Sequence, residues 1–211
     1  MKVTKYEHAA LVVEESGRRL VVDPGSFTRS LGDIADVDAI VVTHEHADHW
    51  TPEQLSALLA TNPGAKVFGN AGIAAALEGF AVETVADGQT VEVGPFTLTF
   101  AGTTHATIHS TVTVPANTGV LVNAKLFYPG DAFFVPPFPV EVLAAPVGAP
   151  WLKIGDAMDY VLAVKAARSF PVHEQTLSEA GFAMHSSRLA AMAESFGGSG
   201  VVLQAGESLE V

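Results

Sequence analysis

Short β-branched runs separated by turn residues set the pattern of the first half of this chain. Apolar positions across 9–13 give way to Glu15-Ser16-Gly17, and Leu20-Val21-Val22 then runs into Asp23-Pro24-Gly25, which predicts a hairpin ending in a loop. The next run, Asp38-Ala39-Ile40-Val41-Val42, is apolar throughout its centre, as expected of a strand covered on both faces. A helix is predicted to start at Thr51 and end near Ala60, before Asn62-Pro63-Gly64. Thr51 can cap it, Pro52 suits the first helical position, and Gln54 follows the Thr by three residues as in a capping box.

Farther along, the spacing predicts a strand at 66–68, a helix near 71–77, and strands at 82–85, 90–93, 97–100, 111–114, 120–122 and 126–128. Helices over 156–168 and about 187–196 flank a short strand at 169–172, and 201–203 supplies a last strand. Strands are many and the helices do not alternate strictly with them. That favours an α/β protein with two stacked sheets covered outside by helices, a four-layer αββα sandwich, over a doubly wound parallel sheet. No linker, low-complexity tract or fixed-period repeat breaks the 211 residues, so 1–211 is expected to be one domain.

Charge narrows the partners. Against 23 Asp and Glu stand 11 Lys and Arg, a formal net charge of −12, and Lys66 is the only basic residue between Arg29 and Lys125. Phosphate backbones and anionic lipid are held by Lys/Arg patches, so neither nucleic acid nor a membrane surface is an expected partner. The first eight residues contain no signal-peptide core, and no stretch approaches the roughly 20 apolar residues of a membrane span, which makes a cytoplasmic protein the expectation. Cysteine is absent, which removes disulfides, thiolate metal sites and thiol nucleophiles. The 8 histidines are therefore the place to look for chemistry.

The buried run ending at Val42 leads directly into Thr43-His44-Glu45-His46-Ala47-Asp48-His49. An HxHxDH pattern should arise by chance about once in two thousand chains of this composition. In extended or turning backbone, residues two apart point to the same side, so His44 and His46 can reach one ion, while Asp48 and His49 face a neighbouring position. Imidazole and carboxylate suit zinc, with iron and manganese as alternatives. Four such ligands do not fill two coordination spheres. Three further candidates each sit at a strand end: His105, Asp131 and His173.

With these residues, with Leu20-Val21-Val22-Asp23-Pro24-Gly25 and with Gly130-Asp131, the chain resembles the metallo-β-lactamase-fold hydrolase superfamily over nearly its full length. Tyr6-Glu7-His8, Ala145-Pro146-Val147-Gly148 and the 157–168 segment leading to His173 resemble its short, single-domain metal-dependent hydrolases related to ascorbate-6-phosphate lactonases. The resemblance implies that His44, His46 and His105 hold one divalent ion, that Asp48, His49 and His173 hold a second, and that Asp131 bridges them. Two such ions share a hydroxide whose lowered pKa makes it nucleophilic near neutral pH, which implies hydrolysis of a small-molecule ester, lactone or phosphoester. Asp48 would also orient the water or shuttle its proton. The alternative readings on this scaffold are a mononuclear iron oxidoreductase, like the superfamily's sulfur dioxygenases, using His44, His46, His105 and Asp131, and a noncatalytic metal-binding protein.

Other residues are candidates for the surroundings of such a centre. His185 and His109 are candidate substrate contacts or proton donors, and His8 is a candidate for orienting a ligand. Trp50 follows the metal motif directly and, with Trp151, could wall an apolar cleft, while Phe133 begins an aromatic, proline-rich loop that could be a substrate-shaping lid or a dimer contact. Phosphate recognition needs cationic donors, and Lys153, Lys125 and Arg188 are the candidates. The sequence is also compatible with a homo-oligomer.

Overall fold

The computed structural model describes residues 1–211. Strands and helices are numbered in chain order. The first sheet is built from β1 (Lys2–Lys5), β2 (Leu11–Glu15), β3 (Arg18–Val22), β4 (Val37–Val42), β5 (Lys66–Gly69) and β6 (Val82–Thr84), and β14 (Ser208–Glu210) pairs with β1 at its edge. The second runs through β7 (Thr90–Val93), β8 (Phe96–Ala101), β9 (Gly119–Val122), β10 (Leu126–Tyr128), β11 (Val142–Pro146), β12 (Arg168–Val172) and β13 (Ser199–Gly200). Helices α1 (Pro52–Thr61) and α2 (Ala71–Ala76) accompany the first sheet, and α3 (Ile154–Val164) and α4 (Glu179–Ser195) the second.

Three apolar clusters separate four layers. Val3, Leu11, Leu20 and Val41 of the first sheet meet Phe96, Phe100, Val120 and Phe170 of the second in the central core. Ile40, Val42 and Val67 face outward against Leu55, Leu58 and Ile73 of α1 and α2. Phe127, Leu143 and Ala145 do the same against Ala157, Tyr160 and Leu189 of α3 and α4. Alternation along β4 sends Val41 inward and Ile40 and Val42 outward, so both faces are buried, which is why its sequence is apolar throughout. This is the αββα sandwich expected from the sequence.

The Thr51 hydroxyl accepts from Gln54 N at the start of α1, as predicted. The Gln54 side chain does not reach back as a capping box requires. Its Oε1 accepts from Leu31 N and its Nε2 donates to the Thr28 and Arg29 carbonyls, so it pins the loop after β3.

Several element boundaries differ from the sequence expectations. Residues 111–114 form no strand: they lie in the loop between β8 and β9, where Val112 and Val114 are exposed and have no sheet to cover them. Residues 201–203 are also irregular, the neighbouring strand being β13, and β1, β11 and β14 are strands beyond those that the spacing predicts. Helix α3 lies at 154–164, earlier than expected, and stops where Lys165 turns left-handed at φ 55°. Helix α4 starts at Glu179, well before the expected 187, with the Ser178 hydroxyl capping Gly181 N. No helix is long and apolar enough to cross a membrane.

Candidate metal centre

Loops leaving the C-terminal ends of four strands bring their polar side chains to one place. His44, His46, Asp48 and His49 follow β4, His105 follows β8, Asp131 follows β10 and His173 follows β12. The donor atoms of His44, His46 and His105 lie within 4.8 Å of one another. So do those of Asp48, His49 and His173, joined by His8 from the β1–β2 loop. Asp131 connects the two groups: its Oδ1 is 3.2 Å from His49 Nε2, and its Oδ2 is 3.4 Å from His105 Nε2 and 3.1 Å from His173 Nε2.

Two glycines make the approach of these loops possible. A Cβ on Gly25 would lie 1.8 Å from the Asp48 carbonyl oxygen, and Gly130, at φ +64°, would place one 2.3 Å from Asn117 Oδ1. That same Asn117 oxygen accepts from Asp131 N and so fixes the loop carrying the carboxylate.

Four of the buried rings are aimed by acceptors behind them. His49 Nδ1 donates to Asp23 Oδ2 at 2.6 Å, His173 Nδ1 to the Gly148 carbonyl and His105 Nδ1 to the Ala106 carbonyl. His44 Nδ1 lies 3.1 Å from the Thr43 hydroxyl, which itself donates to Asp23 Oδ2 at 2.7 Å and therefore accepts from the ring. A neutral imidazole with its proton tied to Nδ1 presents a bare Nε2 to the centre, the tautomer that ligation through Nε2 requires.

The facing atoms have little else to bind. His49 Nε2 and His173 Nε2 are 3.2 Å apart, His44 Nε2 and His46 Nδ1 are 3.1 Å apart, and His105 Nε2 and Asp131 Oδ1 are buried without a hydrogen-bond partner. Buried polar atoms left unpaired are costly. Divalent cations would satisfy them, and the nitrogen and oxygen donor set fits zinc, manganese or iron.

Electrostatics point the same way. Burial, reinforced by the neighbouring rings, holds His44 well below its ordinary pKa and lowers His46. Burial alone would also lower His173, but Asp131 and Asp48 beside it raise it to about 9. His49 lies well above its usual value because Asp131 and Asp23 outweigh its burial. Both carboxylates move down against burial, Asp131 through the charges of His49 and His173, and Asp48 through its contacts with His173 and His8. Three residues of this region, His8 at φ 62°, Asp23 at φ 47° and His173 at φ 66°, hold left-handed backbone, the kind of strain that clusters at functional sites.

A family profile described as "Beta-lactamase superfamily domain" matches residues 2–173, which carry every residue of the cluster. The chain belongs to the beta-lactamase superfamily. Among the relatives of this superfamily member, Protein Rv0786c of Mycobacterium tuberculosis is 36% identical over 197 residues, covering 91% of this chain and 92% of its own length. Shorter matches fall on proteins named UPF0173 metal-dependent hydrolase. Of solved structures, Igni18, a metallo hydrolase from Ignicoccus hospitalis, superimposes with a TM-score of 0.76 at 22% identity over 99% of this chain and 97% of its own. CmlA, a diiron β-hydroxylase from Streptomyces venezuelae, does so with a TM-score of 0.75 at 16% identity, over all of this chain and 54% of its own. These likenesses establish the metallo-β-lactamase fold.

The remaining candidates of this beta-lactamase superfamily chain fall into two groups. Trp151 reaches the centre, its Nε1–H donating to Asp131 Oδ2 at 2.8 Å and its ring centroid 6.0 Å from that of His105. Phe133 stands edge-on to Trp151 at 5.1 Å, forming one wall beside the centre. Trp50 instead donates to the Glu45 carbonyl and packs against the apolar cluster beneath α1 and α2. The structure does not bring His185 into the cluster: its Nδ1 donates to the Val147 carbonyl, one residue before the carbonyl that orients His173. His109 is exposed and bonded to Thr111. Lys153 is exposed and paired with Asp156, Lys125 donates to the Val211 carbonyl, and Arg188 is exposed on α4, so none is drawn to the cluster.

Asp23 is the residue whose position sequence reasoning missed. Fully buried, it accepts from Thr43 N, from the Thr43 hydroxyl and from His49, and so orients one histidine of each group. Its signal in the sequence was an aspartate at the end of an apolar strand, followed by Pro-Gly.

Proposed function

We propose that this chain is a metal-dependent hydrolase with a dinuclear centre. In this reading His44, His46 and His105 hold one ion, Asp48, His49 and His173 hold the other, and Asp131 bridges them, with zinc the metal that the donor set fits best. The observation that carries it is the position of Asp131, whose two oxygens lie 3.1–3.4 Å from the Nε2 atoms of three histidines drawn from both groups.

Two divalent ions held there would supply a water activated as nucleophile near neutral pH and would polarise the bond under attack. The chain's own residues do the rest. Asp48, partly exposed like His46, stands where the cluster opens to solvent and is placed to orient water or carry its proton. Trp151 holds the Asp131 carboxylate and, with Phe133, offers an apolar surface to one side of the centre.

The substrate that fits is a small carboxylic ester or lactone. No lysine or arginine forms an ion pair with a residue of the cluster, so a phosphoester would depend on the two ions alone to neutralise its charge. Members named metal-dependent hydrolases support the reaction class. CmlA carries diiron hydroxylation on the same fold, which makes the metal the property to measure.

The test is hydrolysis of a panel of lactones and esters by the zinc-loaded protein and by Asp131→Ala. Turnover by the wild type and a fall of 100-fold or more in the variant, with its fold intact by circular dichroism, is the expected result. Equal turnover by both proteins would remove Asp131 from its bridging role.

A further inference from the structure

His8 differs from the other buried histidines of the cluster in which nitrogen carries the proton. Its side chain is fully buried, and the Gln175 backbone N–H donates to its Nδ1 at 3.3 Å. A ring nitrogen that accepts from an amide holds no proton, so in the neutral ring the proton sits on Nε2. Nε2 lies 3.0 Å from Asp48 Oδ2 and donates to it. His44, His49, His105 and His173 show the reverse, with Nδ1 turned to an acceptor and Nε2 toward the centre.

The backbone of His8 is fastened to the same loop as its ring. Its carbonyl accepts from His173 N at 2.8 Å, and its N–H donates to Glu174 Oε1 at 3.0 Å. Three successive residues, 173 to 175, thus each hold one group of His8. The buried Lys5 ammonium, 2.8 Å from the same Glu174 oxygen, locks the arrangement from behind. Such anchoring is what keeps a non-glycine residue at φ 62°.

The geometry points to His8 as a positioning residue for Asp48, not as an eighth metal ligand. Its Nε2–H holds Asp48 Oδ2 beside His49 and His173, while its Nδ1 and backbone tie that donor to the β12 loop. A nitrogen already bearing a proton has no lone pair for a metal, although it stands within ligand distance of the group. Without this donor the partly exposed Asp48 carboxylate would be free to turn to water. The inference rests on the reading that Asp48, His49 and His173 hold the second ion.

Zinc titration of the metal-free full-length chain tests it without any substrate. His8→Phe keeps an aromatic ring and removes the donor, whereas His8→Gln keeps an N–H at about the reach of Nε2. The wild type is expected to take two equivalents. His8→Phe should keep the first and bind the second about 10–100-fold more weakly, the usual effect of losing a partner behind a ligand, and His8→Gln should recover most of that loss. A His8→Gln protein as weak as His8→Phe would overturn the positioning role in favour of direct ligation. Wild-type binding of the second zinc by His8→Phe would overturn it in favour of packing alone.

Should His8→Phe fail to fold, nitrogen-15 spectra of the wild type decide. A proton on His8 Nε2 both before and after zinc addition is expected, and its loss on zinc addition would make His8 a ligand. A wild-type chain that takes up no zinc would overturn the dinuclear reading together with this one, which separates that failure from the others.

Discussion

The Nε2 atoms of His49 and His173 face each other at 3.2 Å across a sequence separation of 124 residues. His49 comes from the loop after β4 in the first sheet, and His173 directly follows β12 in the second, so the contact closes the sandwich at the candidate metal centre. Both rings also touch Asp131. The consequences of that arrangement can be measured.

Protons and metal should compete for this pair. Burial opposes protonation of both rings, but the adjacent carboxylates prevail, raising His49 well above its ordinary value and His173 to about 9. A histidine whose folded pKa exceeds its unfolded value of about 6.5 contributes stability that is complete below pH 6.5 and is lost as pH rises through the folded pKa. The metal-free protein is therefore expected to lose stability between about pH 6.5 and 9, while zinc affinity climbs over the same window as the protons leave. Urea denaturation and zinc titration at pH 6, 7.5 and 9 check both halves. Metal-free stability that rises across that window would contradict the assignment.

Asp23→Asn should loosen both groups of ligands at once. The buried carboxylate accepts from His49 and from Thr43, which in turn accepts from His44, and an amide cannot accept at both of its heavy atoms. A loss of about 1–3 kcal/mol in stability is expected from the unsatisfied buried groups, together with zinc binding about 10–100-fold weaker. Chelator-competition titration measures the second effect, and an unchanged affinity would mean that Asp23 is merely structural.

Trp151→Phe keeps the apolar wall and deletes one donor to Asp131 Oδ2. We expect two zinc ions at saturation, bound about tenfold more weakly, with the larger loss in turnover, because Asp131 joins the two halves of the centre. Chelator competition and hydrolysis rates on the same preparation read these separately. Wild-type values for both would remove Trp151 from the machinery.

Lys5→Met tests the anchor behind the centre. Lys5 is 1% exposed and paired with Glu174, whose second oxygen is already without a partner. Removing one member of a buried ion pair leaves the other charge uncompensated, at a cost of about 3–5 kcal/mol. Urea denaturation of the metal-free protein should show it, whereas a loss below about 1 kcal/mol would mean that water already reaches Glu174.

The seven candidate ligands, and His8 as a candidate for orienting one of them, were legible in the sequence, whereas Asp23 and the contacts that fix His8 were not, for a physical reason. His44, His46, Asp48 and His49 fall within six residues near the end of a buried strand, and His105, Asp131 and His173 each follow a strand closely, so local pattern suffices to find them. The roles of Asp23 and His8 depend on contacts with Thr43 and with residues 173–175, which only the tertiary fold creates. In the fold, β4 reads clearly because both faces are apolar. Helix α4 reads late because Phe182 is the one residue of its first two turns packed on the core, and the next inward position is the polar Ser186. The 111–114 segment has β-branched residues but no neighbouring strand to pair with, and propensity yielded to that absence.

Metal content per folded chain, determined by elemental analysis after expression with zinc, iron and manganese all available, tests the dinuclear hydrolase most directly. The account predicts two zinc ions per chain, falling in Asp131→Ala. One iron per chain, with oxygen consumed in place of an ester or lactone hydrolysed, would contradict it.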